Sequence, residues 1–430
     1  MRLHFQTQLA TSVAWLAALA LLLLPPLGCT KPANAFAQTK YQAIKNFVDL
    51  GSNPTSLIEG SDRNLYGTMR DGGSKWEGVV FKVNKDGSGY TVLHDFTSER
   101  DGADGTWPQG VVEGSDGTLY GTTQLGGIGK GTVFKVNKDG SGYTVLHRFP
   151  GMSGDGLEPW AGLAEGRDGA LYGTTLQGGT KNAGTVFKLN KDGSGYAVLH
   201  SFFATQTDGA TPMAGLLAGS DGALYGTTDG GGDVPVVAGA GAVFKLNSDG
   251  SGYKLLHSFP DKPSDGRFPR SSLLEGRDGA LYGTTQNGGT KDAGTVFKLK
   301  KDGSGYRILH SFSGSLGLKP DPKGMMSGVQ NGVPTKFSDE GDGSGPTGLV
   351  AGSDGSLYGM TEFHGKSGNG TAFRLNPDGS GFAVLHNFPG AEGDGQNPSA
   401  SMVQGSDGAL YGMTKISHTN SFATLFKFSF

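Results

Sequence analysis

The chain has 430 residues, with 36 basic and 39 acidic side chains spread evenly and a formal charge of −3, which excludes the basic face that a nucleic-acid partner demands. Its single cysteine, Cys29, excludes a disulfide within the chain, so stability has to come from packing. The 77 glycines are periodic and alternate with short apolar runs, as many short strands joined by tight turns require, which argues against disorder.

At the N-terminus, Arg2 precedes an apolar run from Val13 to Leu24 that ends at Pro25-Pro26. A run of that length is too short to cross a bilayer and matches the core of an export signal. Two processing sites compete. Ala35-Phe36-Ala37 is a small-x-small site that would leave Gln38 as the first residue, with 34 basic against 39 acidic side chains and a charge of −5. Leu27-Gly28-Cys29 resembles a bacterial lipobox that would lipidate Cys29, although Pro26 stands where an aliphatic residue is usual. Residues 1–37 are therefore expected to be a signal peptide and leader, and residues 41–430 a single domain.

From residue 41 onward one unit recurs. A Leu-Tyr-Gly core falls at Tyr66, Tyr120, Tyr172, Tyr225, Tyr282, Tyr358 and Tyr411, spaced 54, 52, 53, 57, 76 and 53 residues apart. A fixed period of this length marks a repeat array with one insertion. In the second copy, Gly110 to Gly114, Leu119 to Thr123, Thr132 to Asn137 and Tyr143 to Phe149 read as four strands, A to D, separated by Asp-Gly and Gly-Gly turns. Seven four-stranded meanders predict an all-β, seven-bladed propeller of antiparallel blades. The glycine after each of these tyrosines predicts a close approach within strand B, expected from an aromatic ring of the neighbouring blade.

The two ends are complementary. Tyr41 to Phe47 aligns with the D strand that begins at Tyr90, while Ala423 to Phe428 is a C strand after which the chain stops. Pairing them would close the ring and remove both open edges. With strand A innermost, the A–B and C–D turns share one face, nearly uniform in Asp-Gly and Asp-Gly-Ser-Gly. The B–C and D–A loops share the other, variable face. The D–A loops carry Asp-Gly-x-x-Pro from Asp104, Asp155, Asp208, Asp265, Asp342 and Asp394, with different residues before each proline. The insertion, roughly 313–340, also lies in a D–A loop. Variable loops on a fixed scaffold are where function concentrates.

The long unit Gly-Leu-x-x-Gly-x-Asp-Gly-x-Leu-Tyr-Gly-Thr-Thr, followed by Gly-Gly and Gly-Thr-Val-Phe-Lys-Leu-Asn-x-Asp-Gly-Ser-Gly-Tyr-x-Val-Leu-His-Ser-Phe, resembles the GloVer tandem repeat of exported bacterial choice-of-anchor proteins. The resemblance spans residues 41–430. It implies an exported or surface repeat protein, and it carries over no functional residues. A looser similarity to kelch repeats supports the propeller by analogy.

Residues present in every blade read as structural. The tyrosines fill two columns, one of Leu-Tyr-Gly and one of Tyr41, Tyr90, Tyr143, Tyr196, Tyr253 and Tyr306, with Phe382 in the remaining place. His94, His147, His200, His257, His310 and His386 fill a D-strand column spread around the rim, too dispersed to converge on a metal. No metal or cofactor is expected.

Residues that break the repeat are the candidates. Trp76, Trp107 and Trp160 fall in variable-face segments of three successive blades, near Arg70, Asp71, Glu77, Glu158, Arg267, Arg270, Glu362, His364, Lys366, Lys415 and His418. Trp76, Trp107, Trp160, Glu158, Arg267 and Arg270 form the expected ligand-binding set, since an indole face beside orienting polar groups suits a sugar or a peptide. The alternative is that the tryptophans plug the channel mouth. The leading expectation is a monomeric binding module, secreted, periplasmic or on the cell surface, that takes an extracellular glycan or protein and meets membrane only through a Cys29 anchor. A polysaccharide lyase or hydrolase would use His364 and His418 as acid and base, with Glu362 and Arg70 as second carboxyl and charge neutraliser. An envelope scaffold is the third reading.

Overall fold

A computed structural model describes residues 39–430 apart from 49, 98–103, 128–129, 153, 206–207, 232–239, 261, 263, 315–340, 389–393 and 418–421, with the side chains of 416 and 417 also set aside. Cys29, His418 and most of the insertion lie outside these residues. The rest is all β: seven blades of four antiparallel strands arranged as a propeller.

In blade one, strand A is Gly51–Glu59, B is Leu65–Gly72, C is Val79–Val83 and D is Thr91–Asp95. Blade seven is closed as expected. Lys40–Asn46 pairs antiparallel with Thr424–Ser429, placing Tyr41 opposite Phe428 and Asn46 opposite Thr424. The core lies between blades: Tyr66, Val80, Leu93 and Phe96 of blade one pack with Val111, Leu119, Phe134 and Val136 of blade two. Such clusters stand upright only against a neighbour, which makes the closing strand a structural necessity.

Strand A takes two forms, and one residue decides between them. In blades one, two and six a single residue separates the proline from Ser56, Gly110 or Gly348, and strand A runs on through a bulge at that point. Blades three, four and five have two residues there, as in Pro159-Trp160-Ala161-Gly162, and strand A breaks into two short pieces, Gly156–Leu157 and Ala164–Glu165 in blade three. A bulge absorbs one extra residue, whereas a second interrupts the ladder.

The strand-B glycine has a different partner from the one its position suggested. A Cβ on Gly67 would lie 2.5 Å from Cζ of Phe81, on strand C of the same blade and directly opposite in register, and the other blades repeat the arrangement. The glycine therefore seats an aromatic ring across its own sheet. The glycine that does meet the neighbouring blade is the one before strand C, covered by the proline that opens the next blade's strand A, as Pro108 covers Gly78. Trp107 N–H donates to Glu77 C=O at 2.8 Å across the same junction. The residue before each proline takes a left-handed φ, +59° at Trp107 and +56° at Glu158, so the direction of its side chain is set by the scaffold.

The repeated polar columns are structural. Each strand-B tyrosine donates to the aspartate four residues before it, from Tyr66 to Asp62 at 2.8 Å through Tyr411 to Asp407 at 2.7 Å. Each rim histidine stacks on the D-strand ring of the next blade, His94 on Tyr143 at 3.4 Å between centroids and His386 on Tyr41 at 3.9 Å, so the closing strand supplies the last ring. The insertion leaves and returns at one point, where Ser313 N–H donates to Asp342 at 2.6 Å, and Asp342 keeps its bond to His310.

Candidate functional site

Strand A is innermost, and segments from all seven blades line a central cavity of about 790 Å³. Small residues such as Ser56, Gly110, Gly162, Gly215, Ser272 and Ser401 form its wall. The register immediately after each proline opens onto it: Thr55, Gln109, Trp160, Met213, Arg270, Thr347 and Ser399. No two neighbouring blades carry the same residue there. A second variable register lies four residues after each strand-B tyrosine, at Arg70, Gln124, Leu176, Asp229, Gln286, Glu362 and Lys415. All seven of the first register line the cavity, as do Arg70 and Lys415 of the second, while their chemistry changes from blade to blade.

Within this mouth the guanidinium of Arg70 lies over Trp107, with Cζ 4.2 Å from the ring centroid, and 5.8 Å from that of Trp160. Each contact adds a cation–π attraction of order 1 kcal/mol and favours the guanidinium's place beside the indoles. Arg270 is held by Asp229, through Nε at 2.7 Å and Nη2 at 3.1 Å, and bonds Gln286 through Nη1. Lys415 pairs with Glu362 across blades six and seven. Asn53 donates to Asp71, and Gln109 is buried, donating to Trp107 C=O at 3.0 Å and Gln124 at 3.4 Å.

The structure thus gathers Arg70, Trp107, Trp160 and Arg270 of the expected residues, together with Asp71 and Lys415, around one cavity. Trp76 does not line it; half exposed, it stacks on Phe422 at 6.4 Å in the B–C loops. Glu158 stands beside Lys130 at 3.9 Å, and Arg267 pairs with Asp292 at 2.6 Å. His364 is buried, its Nδ1 sharing a hydrogen bond with the Ser344 hydroxyl at 2.6 Å, and burial holds its pKa below the usual range. An enclosed imidazole outside the cavity lining is poorly placed for proton transfer to a substrate bound there. Among the described residues no group of three His, Cys, Asp or Glu side chains is placed to hold a metal ion. Gln109, Met213 and Asn53 were missed by sequence reasoning. The signal that reveals the first two is variation in the register after a constant proline, whereas attention fell on the residues before it.

The sequence profile of the Gloeobacter/Verrucomicrobia repeat matches residues 35–233, 128–335 and 325–430. No curated protein sequence matches the chain. Among solved structures, a streptogramin B lyase superposes with a TM-score of 0.57 at 14% identity, over 91% of this chain and 97% of the lyase. An oligogalacturonate lyase from Vibrio parahaemolyticus gives 0.53 at 11% identity, over 92% of this chain and 94% of that one. The extracellular domain of a chain described as a hybrid two-component system, from B. thetaiotaomicron, gives 0.57 at 11% identity, over 90% of this chain and 39% of the other. At these identities the likeness establishes the propeller fold alone.

Proposed function

Since the chain belongs to the Gloeobacter/Verrucomicrobia repeat family and its internal variation converges on one channel mouth, we propose that it is an exported or cell-surface binding module that recognises an extracellular glycan there. The observation that carries this reading is the pair of indoles, Trp107 and Trp160, set with an arginine at the rim of a cavity of about 790 Å³. That volume suits a few linked sugar rings or a chain end and excludes a folded domain. The Thr55 and Ser399 hydroxyls already donate to Pro108 C=O and Pro54 C=O, each at 2.9 Å, so they meet a sugar hydroxyl as acceptors. Export is supported by the apolar run 13–24 and its two following processing sites. Whether the exported form is free or held by a lipid on Cys29 is read by mass spectrometry of its first residue.

The test is a glycan and surface-protein array probed with the wild type and with Trp107→Ala/Trp160→Ala. The proposal expects glycan binding that the double variant loses by at least about tenfold, the scale of losing one stacked aromatic contact. Glycan binding that is unchanged in the variant would rule out the mouth. Binding to proteins alone would replace the glycan with a protein partner.

A further inference from the structure

We propose that the glycan taken at the mouth is acidic, and that its carboxylate or sulfate group docks on Arg70. This rests on the glycan reading of the mouth and names the chemistry of the ligand. The two variable registers carry three cations, Arg70, Arg270 and Lys415, against two anions, Asp229 and Glu362. Both anions are already used, Asp229 by Arg270 and Glu362 by Lys415. Arg70 is the one cation of the two registers that has no carboxylate partner. Among the described residues it meets no carboxylate and donates no hydrogen bond, and its ring contacts are the indoles of Trp107 and Trp160. The acid in the cavity wall itself, Asp71, keeps its charge, accepts from the Asn53 amide and forms no ion pair with Arg70.

A cation–π contact uses no N–H group of the guanidinium as a hydrogen-bond donor to oxygen, so its N–H edges stay free for an acceptor. Those edges form a planar fork that matches the paired oxygens of a carboxylate or sulfate. Because the guanidinium is already drawn to the Trp107 ring, less side-chain freedom remains to be lost on binding. Indole walls also lower the local dielectric, so an ion pair formed there is screened less than one on an open face. A neutral sugar would leave this fork without an acceptor. The tryptophans, read from sequence as platforms for a ligand, here stand first beside the group that meets it.

Calorimetric titration of the full chain tests the inference with two matched pairs: a hyaluronan tetrasaccharide beside its carboxyl-reduced form, and a sulfated galactan tetrasaccharide beside its desulfated form. At least one acidic member is expected to bind about tenfold or more tightly than its neutral counterpart, with the preference shrinking as salt is raised. The pair that responds distinguishes carboxylate from sulfate. Arg70→Gln should abolish the preference and Arg70→Lys retain part of it, and Arg70→Lys carries the test alone should Arg70→Gln melt early. Equal binding of acidic and neutral members, untouched by Arg70→Gln but lost in Trp107→Ala, overturns the acidic ligand and leaves the glycan site standing. Absence of binding to acidic and neutral glycans alike overturns the glycan reading and this inference together.

Discussion

At the scale of single residues, the repeat is held by groups whose partners lie within a few ångströms in every blade. The Tyr66 hydroxyl donates to Asp62, and Lys82 and Lys138 stand near the same carboxylate at 3.4 and 4.0 Å. Partial burial would raise the Asp62 carboxyl, but hydrogen bonds from Asn64 and Tyr66 outweigh it and draw it down to about 2. A depressed folded-state value contributes stability above the unfolded value near pH 4, and that contribution is lost as pH falls towards about 2. Asp116, Asp168, Asp278 and Asp354 are lowered in the same sense, so these turns act together in acid. Tyr66→Phe is expected to cost roughly 1–2 kcal/mol at neutral pH, and thermal melts from pH 6 to pH 2 should show the difference from wild type shrinking below pH 4. A difference independent of pH would assign the tyrosine to packing alone. Gly67→Ala tests steric demand separately, since the added methyl meets Phe81; a loss of roughly 1–3 kcal/mol is expected in denaturant unfolding.

Between neighbouring elements, the uniform face carries a latch that repeats with internal compensation. A strand-A glutamate accepts from the serine that opens the A–B turn of the preceding blade and from a lysine in its own C–D turn. Glu275 meets Ser220 N–H at 2.8 Å, the Ser220 hydroxyl and Lys301 at 2.7 Å. Glu113 and Glu165 repeat the pattern with Lys138 and Lys191, and Glu59 with Ser406 and Lys85 closes the ring. Where the glutamate is replaced by Ala218 or Ala351, the lysine is replaced as well, by Ser248 or Pro377, and the preceding serine becomes Arg167 or Arg277. Those arginines donate instead to the main-chain oxygens of Ser220 and Ser353. In these two blades the three positions change together because a lysine without its glutamate would keep only a longer pairing with the turn aspartate, as Lys301 has with Asp221 at 3.5 Å. Glu275→Ala is therefore expected to cost roughly 1–3 kcal/mol, and adding Ser220→Arg with Lys301→Ser should recover most of it. Simple additivity of the three changes in thermal melts would refute the compensation.

This pattern also shows what the sequence made legible. Turn residues recur at fixed offsets, so strand order, blade number and the pairing of Lys40–Asn46 with the last strand followed from the repeat, whereas strand A, expected as Gly110 to Gly114, runs over Thr106–Glu113. The latch, by contrast, joins residues about fifty positions apart, and only the curvature of the ring brings Ser61 to Glu113. The Gly67–Phe81 contact was legible in kind but misplaced, because it depends on cross-strand register, which a B–C loop of variable length obscures. At the mouth, the tryptophans stood out by rarity. The pairing of Arg270 with Asp229 and of Lys415 with Glu362 singles out Arg70, and it needed coordinates.

For the whole molecule, closure and function are linked, because only a closed ring brings the variable registers of blades seven, one and two to a common mouth. Moving residues 39–48 to follow Phe430 through an Asp-Gly-Ser-Gly turn should preserve the fold, since Lys40 already pairs with Ser429. Deleting the same strand removes the Tyr41 ring from His386 and leaves an open edge. The permuted chain is expected to melt within a few degrees of wild type, and the truncated one to aggregate on gel filtration. Equal behaviour of the two would mean that the seventh blade does not need its fourth strand.

The most direct measurement of ligand capture at the mouth is tryptophan fluorescence of Trp76→Phe, in which Trp107 and Trp160 report from residue 38 onward. Titrated with a glycan identified on the array, its emission should shift to shorter wavelength and saturate at the calorimetric affinity, as water leaves the two indoles. Emission that stays constant while the glycan binds would place the ligand elsewhere on the propeller and contradict the account.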